Sequence, residues 1–232
     1  MMASLPTGYR ALVLGASGAL GAAFVSHLQA DAHCGQVLGL SRRSSPALVL
    51  EDEASIRACA QGLAAQAPLH LVIDATGALT LDGRGPEKRL DELDPQHLAR
   101  AMAVNAIGPA LLLKHLVPLL AHGERVVWAK LSARVGSIAD NHKGGWYGYR
   151  ASKAALNMLL QTSAIEIARR RPLAVVAALQ PGTVRSALSQ PFVGDDALEP
   201  SQSAARLLRV LDALPATGRA LFVDHQGAPI PW

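Results

Sequence analysis

Cysteine is scarce in this sequence: Cys34 and Cys59 are the only two in 232 residues. Two thiols cannot staple a chain of this length, so with no signal peptide in view they are expected to be reduced, in a cytoplasmic protein. The eight histidines form no HxxH or HExxH spacing and no CxxC occurs, so a metal site is not expected. Aromatic residues make up 4% of the chain. The basic clusters "SRRS" (41–44) and "ARRRP" (168–172) carry no interleaved aromatics, which argues against a nucleic-acid stacking surface. Arg169–Arg171 fall at the end of an expected helix, where cations complement the dipole. The apolar runs "LVIDATGALTL" and "ALLLKHLVPLLA" are interrupted or too short to span a bilayer, so no membrane partner is expected.

What the chain does have is apolar content, 50% against 17% charged residues, enough for one sizeable core. Short aliphatic runs alternate with Ala/Leu-rich stretches. Strands are expected over 10–15, 36–41, 69–75, 125–132, 173–180 and 220–224. Helices are expected over 19–30, 52–66, 95–121 (bent at Pro109 and Pro118), 149–170 and 200–214. Alternation of this kind, with nearly continuous apolar strands, predicts an α/β fold: a single-domain, Rossmann-type, doubly wound parallel sheet with helices on both faces. Such folds bind ligands at the carboxyl ends of their strands.

Two motifs fall at those ends. "GASGALG" sets Gly15, Gly18 and Gly21 directly after the first strand and at the mouth of the first helix, where backbone amides can approach a pyrophosphate. About twenty residues further on, where an NAD site carries an acid for the ribose 2′-hydroxyl, stand Ser41-Arg42-Arg43. Guanidinium groups suit a 2′-phosphate, so NADP(H) is expected in preference to NAD(H). Downstream, Tyr149 and Lys153 share one face of a helix start. An ammonium ~4–5 Å from a phenol lowers the phenol pKa and makes it an acid/base near neutral pH.

Taken together, these motifs resemble the short-chain dehydrogenase/reductase family, and within it the branch of C-factor-type proteins and sniffer-type carbonyl reductases. The resemblance runs the length of the chain. It is carried most plainly by "VGSIADNHKGGWYGYRASKAALNM" (135–158), "QPGTVRSALSQPF" (180–192) and "GAPIPW" (227–232). It implies a sheet of about seven strands in one domain spanning 1–232, whose N-terminal half binds the dinucleotide. It also implies hydride transfer between nicotinamide and a small carbonyl or alcohol substrate, and a homo-oligomer, dimer or tetramer.

By the same resemblance Tyr149 is the acid/base, Lys153 holds the nicotinamide ribose, and Asn105 holds a water that links the lysine to solvent. Ser17 and Leu20 join the three glycines at the phosphates. Ala75, Thr76 and Gly77 of "DATG" pass the adenosine end, and Pro181, Gly182 and Val184 of "PGTV" line the nicotinamide.

The sequence departs from the family at several points. Ala19 aligns with the second fingerprint glycine. Val49 stands where an adenine-contacting aspartate is common, and Asp74 and Ala75 replace two asparagines, so part of a sheet-stabilising role is expected to be lost. The family's Ser-Ser-x-x-Gly, anchored on Gly136, puts Ser132 at the first serine and Ala133 at the second, which donates to the substrate carbonyl. Ser132 is the first candidate for that donor, Ser137 another, and no serine at all a third. Trp146, the segment 184–192 and Trp232 are the expected frame of a substrate pocket, with 184–192 as a mobile lid.

Overall fold

The structure is a computed structural model and describes residues 2–186 and 197–232. Its strands are β1 (Tyr9–Leu14), β2 (Cys34–Leu40), β3 (Leu71–Asp74), β4 (Val126–Leu131), β5 (Ala174–Gln180) and β6 (Ala220–Asp224). They pair in the order β2-β1-β3-β4-β5-β6, every neighbour parallel. The helices are α1 (Ala19–Gln29), α2 (Glu53–Leu63), α3 (Pro95–Met102), α4 (Gly108–Leu116), α5 (Tyr147–Arg170) and α6 (Pro200–Ala213).

Because side chains alternate across a strand, each strand feeds two cores. In β4, Val126 and Trp128 pack with Leu112 and Leu116 of α4 and with Leu156 and Leu160 of α5. Val127 and Ala129 face the opposite side, with Phe24 and Leu28 of α1 and Leu207 and Leu211 of α6. Both faces of the sheet are therefore covered.

The helices begin where local chemistry satisfies their free amides. Asp52 accepts from Ala54 N at 2.9 Å, and Asp94 accepts from His97 N at 2.7 Å ahead of Pro95 at the first helical position. The helix expected over 95–121 does not simply bend at its prolines. It opens into a π-turn, Ala103–Ile107, before α4, and ends in a 3₁₀ turn, Val117–Leu119.

The expected seventh strand is absent among the described residues, and the sheet has six. Residues 41–52 alone connect β2 to α2. A further parallel strand beside β2 would need its own crossover of about a dozen residues or more in addition to the strand, and this connection has no room for one. β2 is thus an edge.

Trp128, 1% exposed, is the largest fully buried side chain. Trp128→Ala should lower unfolding free energy by about 3–5 kcal/mol, read from urea denaturation midpoints at constant m.

Candidate active site

The strand order reverses between β1 and β3, and three segments converge beyond the carboxyl ends there. The first is the β1–α1 turn. Gly15 takes a φ of +79°, and a Cβ on Gly21 would lie 2.1 Å from Gly15 O, so the first turn of α1 seats on the loop only with glycine at 21. Gly18 stands at the N-cap of α1 without a side-chain cap, and the first turn holds no acidic residue. Beside it Arg43 Nη2 donates to Ser17 O at 3.4 Å while Arg42 is exposed.

The second segment is the turn after β3. Asp74 Oδ1 accepts from Thr76 N at 2.9 Å and from Thr76 Oγ1 at 2.5 Å, and pairs with Lys130 Nζ at 2.9 Å. Lys130, fully buried on β4, also donates to Thr76 O at 2.7 Å and Thr76 Oγ1 at 3.0 Å. The expected loss at the former asparagine position is therefore corrected: Asp74 anchors the turn through a lysine instead. At the far end of the turn Asn105, in the π-turn, accepts from Ala78 N and donates to Ala78 O, each at 2.9 Å. Its Nδ2 also donates to Ser152 Oγ at 3.3 Å. The π-turn is what brings the asparagine amide alongside this loop. A Cβ on Gly77 would stand 3.2 Å from Asn105 Oδ1 and 3.4 Å from Lys153 Nζ, so the loop passes close over both.

The third segment is the β4 exit and the start of α5. The helix opens at Trp146 in a left-handed conformation (φ 55°). Its free amides are met from another loop: buried Glu87 accepts from Gly148 N through Oε2 at 2.9 Å, and Glu87 O accepts from Trp146 N. A carboxylate at a helix N-terminus also complements the dipole. Glu87 fixes the turn that presents Tyr149.

Tyr149 and Lys153 come together as the spacing predicts. Lys153 Nζ lies 5.6 Å from the centre of the Tyr149 ring and donates to Leu131 O at 3.1 Å. Burial pushes the phenol up to about 12, although part of Tyr149 stays open to solvent. Burial pushes Lys153 down to about 7, the nearby Lys130 charge lowers it further, and Asp74 opposes both. The lowering of the phenol expected from the Tyr149–Lys153 spacing is therefore corrected: burial raises it instead.

The serines are placed otherwise than first expected. The Ser132 hydroxyl donates to Asn157 Oδ1 at 2.7 Å, so its one proton is committed away from a substrate. Ser137 Oγ accepts from Asp140 N at 3.0 Å as a turn hydroxyl. Ala133 leads into the short 3₁₀ turn Arg134–Gly136.

Of the expected pocket frame, Trp146 sits edge-on to Tyr149 at 6.1 Å, whereas Trp232 packs on Phe222 at 5.3 Å. Pro181 O accepts from Ser203 Oγ at 2.7 Å, Gly182 abuts His225, and Val184 is buried in a bridge to Leu198. Residues 187–192, most of the expected lid, lie outside the described residues.

The chain as a whole has counterparts among known proteins. A family model described as enoyl-(acyl carrier protein) reductase matches residues 21–223. The chain belongs to the short-chain dehydrogenase/reductase family. It is 36% identical over 145 residues to the C-signal of Myxococcus xanthus, covering 62% of this chain and 83% of that one. It is 30% identical over 189 residues to a 1-hydroxy-2-glutathionyl-2-methyl-3-butene dehydrogenase of Rhodococcus sp. (strain AD45), covering 81% and 79%. A Burkholderia multivorans short-chain dehydrogenase/reductase solved with bound NADP superposes at a TM-score of 0.81 with 25% identity, over 97% of this chain and 99% of that one. The chain is an oxidoreductase of this family type.

Sequence reasoning missed Lys130 and Glu87. Lys130 had one signal, a lone lysine in the apolar run "VVWAKL". Glu87 had none, because only the folded chain sets its loop against α5.

Proposed function

We propose that the chain is an NADP(H)-dependent oxidoreductase that moves a hydride between nicotinamide and a carbonyl or alcohol substrate, with Tyr149 as acid/base and Lys153 as its partner. The observation that carries this reading is the Lys153 ammonium 5.6 Å from the Tyr149 ring, with Gly77 passing directly over it. The single domain 1–232 divides its labour. Its N-terminal half would hold the dinucleotide: Gly15, Ser17, Gly18, Leu20 and Gly21 at the phosphates, and Ala75, Thr76 and Gly77 along the adenosine side. Pro181, Gly182 and Val184 would line the nicotinamide.

The uncapped start of α1 and the Gly15–Gly21 cradle fit a pyrophosphate. Arg43, which donates to Ser17 O, and its exposed neighbour Arg42 fit a 2′-phosphate, and the likeness to the NADP-bound Burkholderia protein supports the same choice. When bound, the cofactor supplies or accepts the hydride. In reduction, Tyr149 gives its phenolic proton to the carbonyl oxygen as negative charge develops there. Lys153 in its charged form stabilises the resulting phenolate, and its proton is lost as pH rises through about 7. Ser152, whose hydroxyl donates to Tyr149 O at 2.8 Å, ties this helical turn to Asn105. Trp146 would form one wall of the substrate pocket.

The reading includes a cytoplasmic homo-oligomer, dimer or tetramer. Met158 and Ile165 on α5, 67% and 42% exposed, are apolar groups that such an assembly would cover. A second reading, a low-turnover dinucleotide-binding sensor on the same scaffold, draws on Ala133 at the donor position and on the likeness to C-signal. Turnover of a carbonyl panel with NADPH and NADH, against cofactor binding alone, separates the two.

Tyr149→Phe should cut turnover by about a hundred to ten-thousandfold with cofactor affinity nearly unchanged; retained turnover removes Tyr149 from the chemistry. Replacing Arg42 and Arg43 with Ala should raise the Kd for NADPH at least ~10-fold more than that for NADH in a fluorescence titration, and equal weakening would refute the 2′-phosphate assignment. With Ser132 engaged by Asn157, Ala133→Ser should supply the missing donor and raise kcat by about tenfold or more. A fall in kcat from Ser132→Ala, at unaltered stability and cofactor affinity, would instead return the role to Ser132.

A further inference from the structure

Lys130 is a second buried lysine beside Lys153 that the proposed chemistry leaves without a task. Its three ammonium hydrogens have three short acceptors, Asp74 Oδ1 at 2.9 Å, Thr76 O at 2.7 Å and Thr76 Oγ1 at 3.0 Å. The Thr76 hydroxyl spends its own proton on Asp74 Oδ1, so it meets Lys130 as an acceptor. Three acceptors match the three donors of an ammonium; burial lowers the proton affinity of Lys130, and the Asp74 charge and hydrogen bond oppose that. Lys153 differs. Among the described residues its one acceptor is Leu131 O at 3.1 Å.

The groups facing Lys153 can be taken element by element. Its own helix offers Tyr149, β4 offers Lys130 and the end of β3 offers Asp74, while Asn105 from the π-turn is neutral. Two buried ammonium groups therefore share one carboxylate, and that carboxylate's Oδ1 is taken up by Lys130 and Thr76 while Oδ2 has no hydrogen-bond partner. Like charges confined together in a low-dielectric site cannot both be held with equal ease, and the one with fewer acceptors gives way first. Hydrogen bonding makes that one Lys153.

We propose that Lys130 is a positioning residue for the Tyr149–Lys153 pair: clamped by Asp74, it holds the turn that carries Gly77 over Lys153, and its fixed charge biases Lys153 toward the uncharged form. The inference rests on the reading of Lys153 as the partner of Tyr149. It adds that Lys153 exchanges a proton in the neutral range rather than standing as a permanent cation. The drop of Lys153 to about 7, caused first by burial and next by Lys130, agrees with this geometry.

The test uses the full chain without cofactor, labelled with ¹³C-lysine. With five lysines in the sequence, the Lys153 ¹³Cε resonance can be identified by its loss in Lys153→Met and followed through a pH titration by NMR. The wild-type midpoint is expected near neutrality. Lys130→Met should raise it by about one pH unit or more, roughly a tenfold gain in proton affinity. Asp74→Asn combined with Lys130→Met removes the buried ion pair whole, so neither of its partners is left without the other. It should raise the midpoint less, because the opposing pull of Asp74 is removed as well. If the single variant does not fold, the double variant decides. A midpoint unchanged or lowered in the folded variants overturns the proposal, as does a wild-type midpoint in the ordinary lysine range. The titration reads Lys153 without any turnover, so a Tyr149→Phe variant that stayed active would overturn the proposed chemistry and leave the effect of Lys130 on Lys153 separately measured.

Discussion

The buried contact between Asp74 and Lys130 is the joint on which the site is built. Asp74 ends β3 beside β1, where the sheet order reverses, and Lys130 lies opposite it in the register of β4. The turn they hold meets the glycine loop on one side, for a Cβ on Gly15 would stand 3.2 Å from Ala75 C and Thr76 N. On its other side it meets Asn105 and Lys153. A buried ion pair gives up nearly as much in desolvation as it gains in attraction, so its net contribution to stability is small. What it supplies is position. Four segments far apart in sequence are brought into one fixed relation by two charges that have nowhere else to go.

A second constraint fixes the helix that carries Tyr149 and Lys153. α5 begins without a side-chain cap of its own, and Glu87, from a loop that precedes α3, accepts from Gly148 N in its first turn and, through its backbone O, from Trp146 N just ahead of it. Glu87 thus closes the helix start as a capping residue would, but across the fold. The same helix packs its Leu156 and Leu160 against Trp128, so the core that stabilises the domain also sets the depth of Tyr149 and Lys153 below the surface. Burial then sets their acidities, raising the phenol and lowering the ammonium. Packing and chemistry here are one arrangement.

The serine region shows how a single position redirects a site. Ser132 points to α5, where Asn157 Oδ1 accepts its hydrogen bond and Asn157 Nδ2 donates to Gly136 O at 3.4 Å, bracing the turn that leads to the helix. The side chain at 133 is a methyl group and cannot donate. Under the proposed chemistry a substrate oxygen would therefore depend more heavily on Tyr149.

By itself the sequence determined the alternation of elements, because apolar periodicity and cap residues such as Asp52 and Asp94 act locally. It determined the glycine loop, and it determined the Tyr149–Lys153 pair, because residues four apart on a helix share a face. Six strand segments were legible; the seventh came from resemblance, and the short 41–52 connection removed it. Tertiary structure alone decided the rest. Which partner Asp74 would find depended on strand register, and the direction of the Ser132 hydroxyl depended on the helix packed above it. The cap for α5 depended on a loop some sixty residues upstream. The acidities of Tyr149 and Lys153 depended on how deeply the sheet and helices enclose them. Local sequence fixes which groups are neighbours along an element, but desolvation and long-range hydrogen bonds exist only once the elements have packed.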